Sequence, residues 1–231
     1  MTPATPNTRE TATTEPRNRV GVFSYNFKHW KSQATIQNLI LGGYKPAVIF
    51  ASDPVKLDFY QSKIRVSPKD LFLWHPRHLA EIYDIPYHVV EHNSEETSRY
   101  IEDYNLDIGV IAGARILKPI AFNNFRLGVL NSHPGLLPQG VTVHLIDSYI
   151  DKGLLVEQQP VNVYRDDTMV ELTSRLQNLG QKLMLDGLRR LEHTRLSSLQ
   201  KLEEGFYHKP VPPHIEASLE EKFKEYKENK Q

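Results

Sequence analysis

The chain of 231 residues contains no cysteine, and this absence narrows the chemistry open to it. Without thiols there is no disulfide framework, no thiolate nucleophile and no cysteine-based zinc site. A chain without cysteine suits a reducing compartment, so we expect a cytoplasmic protein. Long apolar runs are also lacking, so we expect no transmembrane helix and no membrane partner.

An excess of charge of one sign is missing as well. The 28 basic residues balance the 28 acidic residues, which gives a formal net charge of zero. No global field therefore attracts a polyanion, and we expect no nucleic acid partner. A small anionic ligand would need a local pocket.

The pattern from residue 20 onward predicts a layered fold. Val20–Ser24 and Ala47–Ser52 are apolar runs of strand length, and they flank a helical pattern over Ser32–Leu41 with Ser32 as its N-cap. Further strands and helices alternate in the same way as far as the run Leu127–Ser132. This alternation predicts an α/β fold built on a doubly wound, mostly parallel twisted sheet.

Composition predicts three segments. Residues 1–19 are rich in Thr and Pro without apolar periodicity, which is typical of a disordered tail. Residues 20–195 form the predicted catalytic domain, closing with a leucine-rich helix that starts at the capping box of Thr168 and Glu171. Residues 196–231 change composition and are interpreted as a C-terminal appendage that could support a homodimer.

One strand end carries polar side chains that a fold alone does not require. Asn131 and His133 are two residues apart at the end of an apolar run, directly before Pro-Gly. They therefore share a face of the strand, at the carboxyl end where open α/β sheets bind ligands. An amide donor and an imidazole suit a reaction that develops negative charge on oxygen. His144 is more simply a structural strand histidine.

Two other site types are weighed against this one. His133 and His144 with Asp147 or Asp151 could in principle form a metal site, but no helical His spacing supports it, so we expect no metal. The loop after the first strand, SYNFKHWKSQ, contains no glycine. The dinucleotide-binding fingerprint is therefore absent, which disfavours a hydride-transferring enzyme.

Four stretches together resemble the folate-dependent formyltransferases. They are AGARILK (Ala112–Lys118), GVLNSHPGLLP (Gly128–Pro138), GVTVHLID (Gly140–Asp147) and YIDKGLLVEQQ (Tyr149–Gln159). Asn-x-His-Pro followed by Leu-Leu-Pro and a downstream Asp-x-Gly is the specific part of the signal. The resemblance implies a Rossmann-like formyltransferase domain and a transferase that uses N10-formyltetrahydrofolate as co-substrate.

The resemblance also implies roles for individual residues. The family's catalytic Asn, His and Asp fall on Asn131, His133 and Asp151. The first two would donate hydrogen bonds to the oxyanion, and the carboxylate would keep the imidazole oriented and charged. The pterin would be bound by Arg115, Ile116, Leu117 and Asp147, largely through backbone groups.

The acceptor is predicted by elimination. Purine-pathway transformylases of this family carry a Gly/Ser/Asn-rich loop after the first strand, whereas this chain offers Lys28, Trp30 and Lys31, which could meet a pyrophosphate and stack on a base. No long barrel domain for tRNA follows the catalytic region. The best candidate is the primary amine of a nucleotide-linked amino sugar, and glycinamide ribonucleotide is the close alternative.

One difference between this sequence and the family pattern leaves a non-enzymatic function as an alternative hypothesis. The family places a loop and helix between Leu-Leu-Pro and the Gly-x-Thr-x-His strand, whereas here Gln139 precedes Gly140 directly. If the element were truly lost, strands ending at Ser132 and starting at Val141 would need an unusually tight link, which favours an element omitted from this sequence over a true deletion. If the element is truly absent, a catalytically inactive folate- or nucleotide-binding protein is the alternative. A formyltetrahydrofolate hydrolase is disfavoured, because the regulatory domain that usually precedes it has no room in the first nineteen residues.

Overall fold

A computed structural model describes residues 17–56, 72–134, 140–148, 153–202 and 212–229. The strands are β1 (Val20–Tyr25), β2 (Val48–Ser52), β3 (Tyr87–Val89), β4 (Ile108–Ile111), β5 (Gly128–His133), β6 (Gly140–Ile146) and β7 (Gly153–Pro160). The helices are α1 (Trp30–Leu41), α2 (Pro76–Ile82), α3 (Glu95–Asp103), α4 (Pro119–Phe122), α5 (Met169–His193), α6 (Pro213–Glu216) and α7 (Leu219–Asn229), with a 3₁₀ turn at Leu196–Ser198.

All seven strands join one sheet, in the order β3-β2-β1-β4-β5-β6-β7. The pairs among β1 to β5 are parallel, whereas β6 is antiparallel to both β5 and β7. The predicted α/β fold with a mostly parallel sheet is confirmed. The order reverses between β1 and β4, which makes the carboxyl ends of these two strands a topological switch point.

Helices cover both faces of the sheet because β1 and its neighbours alternate between two apolar clusters. Val22 packs with the cluster that contains side chains of α1, α2 and α5. Phe23 points the other way, into the cluster formed with α3 and α4. Successive strand residues face opposite sides. Each strand residue can therefore be assigned to the α1/α5 face or the α3/α4 face.

Helix α1 begins two residues earlier than predicted. Its N-cap is His29, whose Nδ1 accepts a hydrogen bond from the Ser32 backbone N–H at 3.3 Å. Ser32, the predicted cap, is buried and donates its hydroxyl to the Ala112 carbonyl at 3.4 Å. The prediction was wrong because a neutral imidazole can accept the capping bond as a serine does.

Helix α5 starts at the predicted capping box, with Thr168 as N-cap and Glu171 bonded back to it. The helix packs against β5, β6 and β7, and its residues buried against them are Gly180, Leu183, Met184, Gly187, Leu188 and Leu191. At Gly180 the approach is closest, since a Cβ there would lie 2.7 Å from the Ser132 hydroxyl oxygen. A glycine therefore lets the helix rest on the strand that carries Asn131 and His133.

The two ends of the described chain are bonded to the body of the fold. Arg17 lies in the predicted tail, yet it donates to the carbonyl oxygens of Gly42 and Gly43 at 3.1 and 2.7 Å. Lys227 of α7 donates to the Asp167 carbonyl oxygen at 2.6 Å. The rest of the predicted tail, residues 1–16, lies outside the described residues, and the proposed dimerising role of the appendage stays a prediction.

Candidate active site

The switch point brings the loops after β1 and β4 together. The Tyr25 hydroxyl donates to the Ala114 carbonyl oxygen at 3.0 Å, which ties the end of β1 to the segment after β4. The carboxyl end of β5 is next to β4 in the sheet, so its terminal residues lie at the same rim. This rim is where the geometry of an open α/β sheet favours ligand binding.

Asn131 and His133 lie at this rim and share one face of β5. Strand alternation puts Val129 in the α3/α4 cluster and Leu130 in the α1/α5 cluster, so Asn131 and His133 project on the α3/α4 face. Both are partly buried, and Ser132 between them is buried on the opposite face. The amide and the imidazole therefore share one face of β5, and their catalytic roles stay predictions.

The antiparallel neighbour β6 adds two polar groups: His144, which the sequence predicted to be a structural strand histidine, and Thr142, which sequence reasoning missed. His144 pairs with Asn131 and Thr142 pairs with His133 across β5 and β6. Directly opposite residues place their Cβ atoms about 5 Å apart on the same face. His144 is 1% exposed, and the Thr142 hydroxyl accepts a hydrogen bond from the Gln158 amide of β7 at 3.0 Å. The two-residue spacing of Thr142 and His144 in the sequence was the available signal.

Strand direction separates Asp147 from His133. Thr142 is level with His133, and β6 then runs four more residues to Ile146, about 13 Å at about 3.3 Å per residue. Asp147 follows Ile146 and is partly buried. Asp151 lies outside the described residues, so its predicted role beside His133 and the predicted contact of Asp147 with the pterin stay predictions.

The predicted pterin segment after β4 is held by a side chain from another loop. Asn93 donates its amide to the Ile116 carbonyl oxygen at 3.0 Å and accepts from the Lys118 backbone N–H at 2.7 Å. Leu117 is buried in the α3/α4 cluster, whereas Ile116 is 67% exposed. Arg115 donates to the Val55 carbonyl oxygen at 3.2 Å. A ligand here would meet the exposed Ile116 side chain and backbone groups.

The three predicted acceptor residues have different environments at the start of α1. Lys28 is exposed and Trp30 is partly buried. Lys31 donates from Nζ to the Ser132 carbonyl oxygen at 3.2 Å. Burial lowers the pKa of the Lys31 ammonium to about 8. Burial and the neighbouring Lys31 charge both lower the pKa of His29, which keeps its ring neutral as the cap requires.

Two further features concern the described ranges, residues 17–56, 72–134, 140–148, 153–202 and 212–229. No group of three or more His, Cys, Asp or Glu side chains there is arranged to hold a metal ion. Among the helices of those ranges, none combines the length and apolar character needed to cross a bilayer.

Known proteins resemble this chain in sequence and in fold. No protein-family model matches it. It is 28% identical over 127 residues to the methionyl-tRNA formyltransferase of Chlorobium chlorochromatii, a match that covers 47% of this chain and 40% of that protein. The phosphoribosylglycinamide formyltransferase structure from Anaplasma phagocytophilum matches with a TM-score of 0.60 at 20% identity, covering 83% of this chain and 97% of that one. A sugar N-formyltransferase structure from Shewanella matches with a TM-score of 0.53 at 20% identity, covering 83% and 76%.

The methionyl-tRNA formyltransferases that it matches are longer proteins, and the chain spans about half of their length. The structural matches show the fold. In sequence and in fold, the chain is therefore similar to the folate-dependent formyltransferases.

Proposed function

We propose that this protein transfers a formyl group from N10-formyltetrahydrofolate to a primary amine. The observation that supports this most is the position of Asn131 and His133 on one face of β5, at the rim beside the switch point. The similarity to formyltransferases supports N10-formyltetrahydrofolate as the co-substrate. The exposed Ile116 and the backbone anchored by Asn93 suit the flat ring of a pterin.

The chemistry follows from the charge that develops. The acceptor nitrogen forms a bond to the formyl carbon, and the carbonyl oxygen takes the negative charge. The Asn131 amide and a protonated His133 donate hydrogen bonds to that oxygen, which lowers the barrier because these donors are held in place before the reaction. The C–N10 bond then breaks as the carbonyl re-forms, and the amine's proton is transferred, finally reaching N10. In this proposal Asp151 orients His133 and assists that proton transfer.

For the acceptor, we propose the amino group of a nucleotide-linked amino sugar. The end of β1 and the loop after it supply the stacked rings of Tyr25 and Phe27 and an exposed cation at Lys28, and α1 begins with the aromatic ring of Trp30. Aromatic faces and a cation suit a base and a pyrophosphate. Lys31, the third residue predicted to bind the acceptor, donates a hydrogen bond to the backbone of β5. Glycinamide ribonucleotide is the second candidate, favoured by the fold match to a phosphoribosylglycinamide formyltransferase.

The catalytic assignment is tested by Asn131→Ala and His133→Ala. Each should lower kcat by about 10²–10³, because each removes one donor to the oxyanion. His214→Ala, which changes an exposed histidine of α6, is the matched control and should leave kcat unaltered. Formyl transfer is measured from the absorbance of the tetrahydrofolate product. Near-normal turnover in both active-site variants would refute the roles given to them.

The acceptor is tested with dTDP- and UDP-amino sugars, glycinamide ribonucleotide and methionyl-tRNA offered in parallel. Product formation with an amino sugar supports the proposal. A signal with only one of the other two acceptors would replace the sugar assignment. Binding of the folate without transfer to any acceptor would favour a catalytically inactive binding protein.

A further inference from the structure

Lys31 occupies a position that helix stability does not explain. It lies in the first turn of α1, where the positive end of the helix dipole disfavours a cation, and no acidic residue of that turn offsets its charge. Its Nζ reaches across to β5 and donates to the carbonyl oxygen of Ser132 at 3.2 Å. Ser132 is the residue between Asn131 and His133. The amine is therefore bonded to the backbone that carries both proposed oxyanion donors.

This stretch of β5 has strand support on one side only. The parallel pairing with β4 ends at Leu130, so beyond that residue the sheet neighbour of β5 is β6. On the α1/α5 face, Gly180 of α5 lies against the Ser132 side chain. Lys31 adds a directional hydrogen bond to this segment from α1. A shift of the Ser132 peptide would turn the two neighbouring side chains together.

Few other charged groups surround that hydrogen bond. Lys31 lines a cavity of about 160 Å³. The other described residues that line this cavity are Trp30, Ser132, Pro134, Val141, Leu176, Gln177, Gly180 and Gln181. Among the described residues that line the cavity, Lys31 is the one with a charged side chain. The cavity residues from α5 carry amide or apolar side chains, and the cavity residue from β6 is Val141. On the α1 side, the ionisable neighbour of Lys31 is His29. With little competing charge, the ammonium and the Ser132 carbonyl interact in a weakly screened environment.

We propose that Lys31 is a positioning residue for formyl transfer, holding the Ser132 peptide so that Asn131 and His133 meet the developing oxyanion. The inference rests on the proposed function and refines it, because it directs Lys31 to the catalytic strand instead of the acceptor. It predicts an effect on kcat without an effect on acceptor affinity. Its pH dependence should follow the Lys31 ammonium, which burial brings to a pKa of about 8.

The kinetic test compares Lys31→Met, which keeps the length but removes the donor, with Lys31→Arg, which keeps a permanent cationic donor. Lys45→Met, an exposed lysine after α1, is the matched control. Lys31→Met should lower kcat ten- to a hundred-fold, roughly the effect of a small misplacement, with both KM values within about twofold. Lys31→Arg should recover most of the rate and keep it at alkaline pH, where the wild type loses activity. A raised acceptor KM with unchanged kcat would overturn the proposal, as would an alkaline limb of the same midpoint in wild type and Lys31→Arg.

A second readout does not need turnover. The ring resonances of His133 and the side-chain amide resonances of Asn131 are assigned by NMR, using the single-residue variants for assignment. Lys31→Met should shift these resonances, and Lys45→Met should leave them in place. If no acceptor is formylated but the resonances shift, the positioning contact stands while the proposed function fails. If the resonances do not shift, the positioning role is refuted whatever the activity.

Discussion

The buried ammonium of Lys31 makes a quantitative prediction about stability. Its pKa falls from 10.5 in the unfolded chain to about 8 in the folded protein, because burial disfavours the charged form. Each pKa unit corresponds to about 1.4 kcal/mol, so the full shift corresponds to roughly 3 kcal/mol. Since the side chain retains some contact with solvent, we discount this to about 1–2 kcal/mol.

The sign follows from proton linkage. Between the folded and unfolded pKa values the unfolded chain binds more protons, so the free energy of unfolding of the wild type rises with pH across this window. Below the folded pKa both states are protonated and the full penalty is present. Lys31→Met lacks this ionisable group, so its unfolding free energy does not contain this pH-dependent contribution. Its unfolding free energy relative to wild type should therefore fall by about 1–2 kcal/mol between pH about 7 and pH about 10.

Urea denaturation at both pH values measures this difference, because the midpoint and slope give the unfolding free energy of each protein. Lys45→Met controls for the loss of an exposed lysine, and its difference from wild type should be independent of pH. A flat difference for Lys31→Met would mean that the ammonium is fully hydrated in the folded state. The account of the cavity around Lys31 would then be wrong.

Three other substitutions test parts of the fold and of the proposed pterin site. Gly153→Ala should cost about 3 kcal/mol or more in urea denaturation, because its φ is +124° and a Cβ would lie 1.8 Å from the Leu145 carbonyl oxygen; a neutral effect would contradict the β6–β7 geometry. Thr168→Ala should lower the free energy of unfolding by about 1 kcal/mol in the same assay. Thr168→Ser should recover that stability if the N-cap hydrogen bond is responsible. Asn93→Ala should weaken formyltetrahydrofolate binding about tenfold by calorimetry, since the segment around Ile116 loses two hydrogen bonds; unchanged affinity would separate that segment from the pterin.

Features that depend on local chemistry could be predicted from the sequence. The apolar run at β1 and the capping box at Thr168 each need only a few neighbouring residues to define them. The spacing of Asn131 and His133 fixed their common face, because strand alternation is a local property. The α/β class followed from the repetition of such signals.

The connection after β5 shows where local reasoning fails. The short link between Ser132 and Val141 was expected to favour an omitted element, and this expectation falls on residues 135–139, outside the described residues. The structure adds that His133 pairs with Thr142 in an antiparallel ladder, so β5 and β6 are neighbours in the sheet. The antiparallel direction of β6 is a tertiary property, and nothing in the motif itself reveals it.

The role inferred for Lys31 depends on a contact between residues 101 positions apart, and it also explains an unusual helix start. His29 can accept the capping bond from Ser32 only while its ring is neutral. Burial lowers the pKa of His29 first, and the Lys31 charge lowers it further. The same cation that is unfavourable to the helix dipole therefore helps to keep the cap in its accepting form. Helix α1 and the end of β5 are thus joined by one charged side chain, so a change at Lys31 should be felt both at the cap and at the proposed catalytic pair.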